Sequence, residues 1–264
     1  MRGWVYLLLL ILGANTAFGQ DKAKLFGNTV IPKSKKGFII TGNASFDFPG
    51  ADMSKRFGLS YRVGPGVLFK TESNWLLGAK FDFIIGNKIK EDSLMCNIVD
   101  KYSEPGGAVY EFINQNGQRI GVPVFERGYA TGISVGHIFN TNKYHPDNGI
   151  MTLVTAGFMQ HKINIYDKDK SVRALRDDYL KGYDRLTNGG FVEGYVGYVY
   201  FSGSHLINFT LGVDALFGFT QGRRDYLYDV ARPENQQRLD ILFGLRGSWF
   251  LPLFRKKTED MLFR

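Results

Sequence analysis

Histidine and serine side chains are the groups of this sequence that could carry catalysis, and their spacing argues against it. The four histidines are His137, His145, His161 and His205. Acyl or lipid hydrolysis needs a histidine base beside a serine or another hydroxyl. Ser204 precedes His205, but adjacent residues of a strand point to opposite faces. GxSxG, HExxH, Walker and GxGxxG motifs do not occur. We therefore predict no catalytic residue, no metal site and no cofactor.

Isolated charged residues form a second candidate set. They lie among small polar residues, on the polar face of segments in which apolar and polar residues alternate. A charge removed from water is costly unless it is paired. We predict that they form one interior ionic network, and we prefer a structural plug over a path for protons or a ligand. The members are Arg62, Lys80, Asp82, Glu193, Asp214, Asp240 and Arg246.

A third set combines arginine, aspartate and tyrosine in residues 181–189 and 218–229. Arginine pairs with phosphate in two-pronged fashion, and arginine and tyrosine are typical of binding hot spots. We predict an ionic lattice that packs on Tyr179 and Tyr228. It is either a sealing cap or a binding surface for a phosphate group or a protein. Its members are Asp184, Arg185, Arg223, Arg224, Asp225, Tyr183 and Tyr226.

The elements that must position these groups are eight segments with period-two alternation, the signature of β-strands. In residues 206–220, for example, Phe209 and Leu211 alternate with Asn208 and Thr210. The predicted strands cover residues 37–48, 59–70, 75–86, 127–139, 150–166, 191–201, 206–220 and 238–253.

The connections between these strands alternate between long and short. The short ones are residues 71–74, 140–148 and 202–205, and the long ones are 49–58, 87–126, 167–188 and 221–237. Antiparallel up-and-down barrels of outer membranes have long extracellular loops and short periplasmic turns. Within the second long loop, Asn116-Gly117 predicts a hairpin turn between residues 110–114 and 122–126.

A soluble eight-stranded barrel would show the same alternation with its apolar face inside. The polar face here is rich in Gly, Ser, Asn and Thr, whereas a surface in water would favour Lys and Glu. Strands of about 11 to 16 residues suit a tilted bilayer span. Aromatic residues at the strand ends predict two interfacial girdles. One contains Phe38, Phe69, Trp75, Phe139, Phe201 and Trp249, and the other Phe83, Tyr129, Tyr166 and Phe219. The all-β prediction is therefore an eight-stranded transmembrane barrel in the outer membrane.

The ends of the chain predict export. Arg2, the apolar residues 4–12 and the small residues Ala17 and Gly19 predict a signal peptide over residues 1–19. A basic periplasmic leader, 20–36, precedes the barrel, 37–254, and a periplasmic tail, 255–264, follows it. Most of the net charge of +8 lies in the leader and the tail. Export makes nucleic acid an unsuitable partner despite this basicity. One cysteine among 264 residues excludes an internal disulfide.

Several stretches spread over the chain resemble an outer-membrane β-barrel family of Bacteroidota. They are residues 55–58, 126–128, 160–163, 181–189, 218–224 and 249–254. The resemblance implies the barrel fold and the outer-membrane location. It implies no established activity.

Two functions of different classes are consistent with these observations. The first is a non-enzymatic barrel that is a structural or docking component of an envelope, secretion or assembly complex. The second is a membrane enzyme acting on lipid A or phospholipid. The expected partners are outer-membrane lipid, with lipopolysaccharide or an envelope protein complex as the specific candidates.

Overall fold

The computed structural model describes residues 24–25, 28–29, 33–91, 93–99, 101–102, 109–202 and 207–254. The predicted signal peptide, the tail after Phe254 and the Ser204-His205 pair lie outside these residues. Residues 24–25 and 28–29 form a short antiparallel pair. The remaining description concerns residues 33–254.

Eight long strands carry the fold, and each coincides with a predicted segment. They are β1 Gly37–Ala51, β2 Ser60–Lys70, β3 Trp75–Gly86, β4 Arg119–Asn140, β5 Gly149–Ile165, β6 Thr187–Phe201, β7 Asn208–Gly222 and β8 Gln237–Phe254. Several strands extend further toward the long loops than the alternation indicated. β4 is the longest because it continues into the hairpin at Asn116-Gly117.

All pairings between these strands are antiparallel, in the order β3-β2-β1-β8-β7-β6-β5-β4. The sheet closes because β3 also pairs with β4, from Trp75 opposite His137 to Gly86 opposite Glu126. Closure leaves no long strand of the described barrel with a free edge, which a bilayer requires.

Burial shows which face of the sheet points outward. In β1, Phe38 and Phe46 are exposed, whereas Thr41, Ser45 and Asp47 are buried in the lumen. This apolar-out, polar-in arrangement is the membrane alternative. The outward positions of the eight strands carry no Asp, Glu, Lys or Arg up to a row on the loop side formed by Tyr129, Phe158 and Phe219. We call this surface the apolar belt.

Phe201 is the exception among the predicted girdle residues. The other nine aromatic residues are exposed or half-exposed, but Phe201 is 9% exposed and packs on Phe250 and Phe254. Phe201 is two positions from buried Val199, so strand parity places both side chains on the lumen face. The adjacent Tyr200 and Ser202 are less buried. The girdle prediction was wrong at this position.

Short elements build up the loop end of the barrel. Helix α1, Met53–Arg56, follows β1, and two 3-10 turns, Arg173–Leu175 and Asp177–Gly182, precede β6. The predicted hairpin is present, with Val109–Ile113 paired to the start of β4. The other short strands are Lys101–Tyr102, Arg224–Leu227 and Arg232–Glu234.

The turn end is closed by a buried lysine. Lys70 Nζ lies 2.6 Å from Asp147 Oδ1 and donates to the Ser34 hydroxyl and the Lys35 carbonyl. Ser34 donates in turn to Asp147 and Asn74. The last residues of the basic leader therefore bind two turns together.

The belt is tested by placing a charge on it. Leu245 points outward at mid-strand, opposite Phe46 and Val213. We expect Leu245→Arg to lower the free energy of unfolding by about 2–4 kcal/mol, because the charge enters the hydrocarbon. Urea unfolding in phospholipid vesicles measures this. Gln237→Arg, outward on the same strand but above the belt, should cost about 0–1 kcal/mol. Equal costs at the two positions would contradict the belt.

Candidate functional site

Arg62 lies at the centre of an ionic cluster in the lumen. It is 1% exposed and contacts carboxylates from three other strands. Its Nε and Nη2 donate to Asp47 at 2.8 and 2.9 Å, and Nη1 donates to Glu193 at 2.9 Å. Nη2 also donates to Asp214 at 2.6 Å. One guanidinium thus connects β1, β2, β6 and β7.

Two further cations complete this cluster. Lys80 Nζ contacts Glu193 at 2.6 Å and Asp82 at 2.8 Å. Arg246 contacts Asp82 at 3.1 Å and Glu193 at 2.8 Å, with Asp214 at 3.5 Å. The lumen cluster therefore comprises three cations and four carboxylates on six strands. Six of the seven network residues named from the sequence belong to it, together with Asp47.

Two glycines on the lumen face leave space for buried carboxylates, one in the lumen cluster and one at Glu126. A Cβ atom on Gly244 would lie 2.3 Å from Asp47 Oδ1, and one on Gly86 would lie 2.3 Å from Glu126 Oε2. Heavier residues at these positions would displace the carboxylates. At these two positions glycine leaves room for the carboxylates.

Asp240 does not join the lumen cluster, and the single-network prediction was wrong for this residue. Its Oδ2 lies 2.9 Å from His161 Nε2 and accepts a 2.5 Å hydrogen bond from the Thr220 hydroxyl. The ring of Phe57 packs edge-on against His161. In the strand register, Asp240 lies opposite Gly218 and Ala51, near the loop end of β8. Arg246 lies six residues further along the strand, toward the turn end.

Apolar layers lie on either side of the charged lumen. Toward the turns, Ile39, Leu76, Ile138, Phe201 and Phe250 belong to one buried cluster. Toward the loops, strand residues such as Ile84, Met159 and Leu242 pack with loop residues in a second cluster. A small cavity of about 30 Å³ beside Lys80 and Glu193 has room for roughly two water molecules. These layers seal the lumen, and the alternation of the strands did not predict them.

A second ionic cluster, the loop cap, joins the four long loops. Arg185 of the third loop is fully buried and pairs with Asp229 of the fourth loop at 2.8 Å and with Glu91 of the second loop at 2.8 Å. Burial alone would lower the pKa of Arg185, but these two carboxylates raise it, so the guanidinium stays charged.

Arg56 brings the first loop into the loop cap. Its Nη2 lies 2.5 Å from Glu234 Oε1, its Nε lies 3.2 Å from Glu91 Oε2, and its Nη1 donates to the Thr187 hydroxyl. Burial opposes ionisation of Glu234, but Arg56 and Arg238 overcome this and hold its pKa below the ordinary value. The loops are thus tied by pairs distant in sequence.

The residues predicted to form the ionic lattice of the third and fourth loops divide into a paired or buried group and an exposed group. Asp184 pairs with Arg224 at 2.5 Å, and Tyr183 is buried, with its ring 5.7 Å from that of Tyr228. Arg223, Asp225 and Tyr226 are exposed.

The lattice prediction was wrong for Arg223, because this residue bonds to neutral amides. No ion pair of Asp225 is present among the described residues either. An open groove of about 380 Å³ lies beside the two arginines 223 and 224 and Asp225.

The sequence search missed Arg56, Glu91, Asp229 and Glu234 of the loop cap and Asp47 of the lumen cluster. The loop residues carried no periodic signal, because they lie in irregular segments or in elements of only three or four residues. Asp47 did carry one, since it stands on the polar face of β1 with Thr41 and Ser45.

The histidine sites bear on the enzymatic alternative. His161, Asp240 and Thr220 form a histidine, carboxylate and hydroxyl cluster, but the carboxylate lies between the other two groups. A base that activates a hydroxyl must itself contact that hydroxyl. All three side chains are at most 3% exposed and face the lumen. His137 lies at the turn end, where it contacts the Ser73 carbonyl. Within the described residues, no group of three or more His, Cys, Asp or Glu is arranged to hold a metal ion.

Comparison with known proteins adds loose structural likenesses. No protein-family model and no curated protein matches the sequence. Ail, the attachment invasion locus protein of Yersinia pestis, is 9% identical, with 82% of this chain and 98% of that chain covered and a TM-score of 0.39. Neisserial surface protein A is 10% identical, with 82% of this chain and 97% of that chain covered and a TM-score of 0.39. OprG of Pseudomonas aeruginosa is 9% identical, with 83% of this chain and 96% of that chain covered and a TM-score of 0.32.

The strand pairing of the chain itself defines the class of the protein. It is a closed, eight-stranded antiparallel barrel with an apolar belt outside and ion pairs inside. The protein is an outer-membrane β-barrel protein. Among the described residues, no helix is both long and apolar enough to cross a membrane.

Arg62 and Asp47 offer a direct test of the lumen cluster. We expect Arg62→Met to lower the free energy of unfolding by about 3–5 kcal/mol, because three carboxylates lose their shared partner. Asp47→Asn combined with Arg62→Met should cost less than the two single changes together. Unfolding in detergent micelles measures all three variants. Additive losses would show that the two residues are not coupled.

Glu234 gives the loop cap a dependence on acid. Its folded pKa lies below its ordinary value, so its stabilisation is complete above that ordinary value. The stabilisation is lost as the pH falls through the depressed pKa. We expect the difference in heat-unfolding midpoint between the natural protein and Glu234→Gln to shrink over this window. Since the lumen carboxylates are the same in both proteins, their titration cancels. A difference that is constant with pH would contradict the role of Glu234.

Proposed function

We propose that the protein is a non-enzymatic barrel that presents its loop cap as a docking surface for a protein component of an envelope, secretion or assembly complex. The observation that carries this proposal is the buried ion pairing between all four long loops. Arg56, Arg185 and their carboxylate partners hold the loops in one arrangement. A surface that is ordered before binding loses less entropy when a partner binds.

The sealed lumen supports docking over transport. The lumen cluster and the two apolar clusters occupy the interior from the turns to the loops. A barrel of eight strands is narrow enough for side chains to fill it. The outer surfaces of the protein are therefore the regions available for binding a partner.

Exposed tyrosines on the loop cap supply binding groups. Tyr179 is 62% exposed and Tyr226 is 46% exposed, and both rings lie beside Tyr228. Tyrosine is enriched in the hot spots of protein interfaces because it offers a large apolar ring and a polar hydroxyl. The groove beside Asp225 continues this surface.

The enzymatic alternative has less support. Thr220 contacts Asp240, not His161, and the apolar loop-end cluster lies around this group. The resemblance to a Bacteroidota barrel family brings no activity with it, so it is compatible with a docking role. We include membership of that family in the proposal.

Chemical crosslinking in native outer membranes tests the docking surface. We expect Tyr179→Ala combined with Tyr226→Ala to lose the crosslinked partner that the natural protein retains, while the heat-unfolding midpoint stays the same. Both side chains are exposed, so the barrel does not need them for packing. Tyr144→Ala is the matched control, because Tyr144 is 53% exposed at the turn end.

Retention of the same partner by the double variant would exclude the loop-cap tyrosines as the docking surface. Loss of the partner in Tyr144→Ala alone would move the docking surface to the periplasmic side. Hydrolysis of lipid A by the purified protein would overturn the non-enzymatic assignment.

A further inference from the structure

Three cations stand at the outer edge of the apolar belt on the loop side. Arg127 of β4 and Lys162 of β5 point outward, just above Tyr129 and Phe158 on the same strands. Arg223 follows the end of β7, above Phe219. We call these three residues the cationic rim.

Arg127 and Lys162 lie directly opposite each other in the β4–β5 pair. Like charges at opposed positions of a sheet repel each other. Arg127 donates to the carbonyl of Glu126 and stacks on the Phe125 ring at 4.8 Å, and neither contact neutralises it. Among the described residues, no carboxylate lies within ion-pair distance of either cation. The pair therefore lacks the negative charge that would stabilise it.

Arg223 is connected to this pair by a row of amides. Its Nε donates to Asn188 Oδ1 at 2.6 Å, and the Asn188 amide donates to Gln160 at 3.4 Å. Gln160 is two residues from Lys162 on the same outward face of β5. From β4 to β7 the row crosses three strand spacings, about 14 Å. Cations and neutral amide donors together thus form one continuous polar strip.

The opposite side of the barrel lacks such a strip. Near the loop end, the outward residues of β1, β2 and β3 include Phe48, Tyr61 and Ile85. The three outward cations next to the belt are therefore on the β4–β7 side of the barrel, whereas the exposed Lys88 and Lys90 belong to the second loop. The position of the three cations between the belt and the loops is the level of the lipid headgroups in the outer leaflet.

We propose that the cationic rim binds the phosphate groups of an anionic lipid of the outer leaflet, with its acyl chains lying along the apolar belt. Phosphate fits the site because guanidinium groups bind it in two-pronged fashion and the ammonium group adds a point charge. The amides of Asn188 and Gln160 can donate to neutral oxygens of the same headgroup. Arg127 and Lys162 lie outside the loop cap, whereas Arg223 also lines the groove beside Asp225. The double variant at Arg127 and Lys162 therefore tests the lipid site separately from the docking surface.

Native mass spectrometry of the detergent-purified protein tests the site, with lipid A carrying two phosphates as the probe. We expect Arg127→Gln combined with Lys162→Gln to lower the apparent affinity on the order of tenfold, because two charge contacts to phosphate are lost. Adding Arg223→Gln should lower it further. Lys168→Gln combined with Arg173→Gln removes the same charge from exposed loop positions and is the matched control.

Heat unfolding separates binding from folding. Without lipid, Lys162→Gln should keep or raise the unfolding midpoint, since it relieves repulsion with Arg127. With lipid A present, the same variant should unfold at a lower temperature than the natural protein, since it loses the stabilisation by the ligand. A purely structural role for Lys162 predicts a lower midpoint in both conditions.

Three results would overturn the proposal. They are equal binding of lipid A from which the phosphates have been removed, equal loss of affinity in the control variant, and unchanged affinity in the triple rim variant. Loss of the crosslinked partner in the tyrosine variants has no bearing on these three results, because those substitutions leave the cationic rim intact.

Discussion

A charge inside a narrow barrel must find a partner inside that barrel, and this constraint governs the lumen of the protein. Arg62 satisfies it with three carboxylates. Arg246 and Lys80 share one of these, Glu193, and both also contact Asp82. The ions come from six strands, so the pairs can form only when the sheet is closed. Breaking one contact leaves a charge unpaired in a medium that solvates it poorly. The lumen cluster therefore couples closure of the barrel to the placement of each strand.

The loop cap applies the same physics to irregular segments. The backbone ladders within the long loops are short and do not connect one long loop to another, so buried side-chain pairs must do so. Arg185 and Asp229 are 44 residues apart, and Arg56 and Glu234 are 178 residues apart. The loop-end apolar cluster beneath them excludes water and strengthens these pairs. An ordered and partly aromatic outer surface is the result, and this order is what makes a docking role reasonable.

The outside of the barrel obeys the opposite constraint. Hydrocarbon tolerates no unpaired charge, and the apolar belt contains none of the four charged residue types. Cations reappear outward at Arg127, Lys162 and Arg223, where the strands leave the belt. Inside, opposite charges neutralise each other within the chain. At the cationic rim none of the three cations has an ion pair among the described residues, which points to a partner in the membrane.

Strand number, inward and outward faces and the closed barrel followed from the sequence, because the side-chain period of two is local and is repeated in every strand. Asp214 and Lys80 could be assigned to the interior on parity alone. Their partners could not, since pairing depends on which strands are neighbours and on the register between them. Asp240 illustrates this, because its height in the barrel places it beside His161, away from Arg246. Phe201, Glu91 and Asp229 likewise acquired their roles from residues distant in the chain. Parity is a property of a single strand, whereas ion pairing and packing are properties of the closed sheet and its loops.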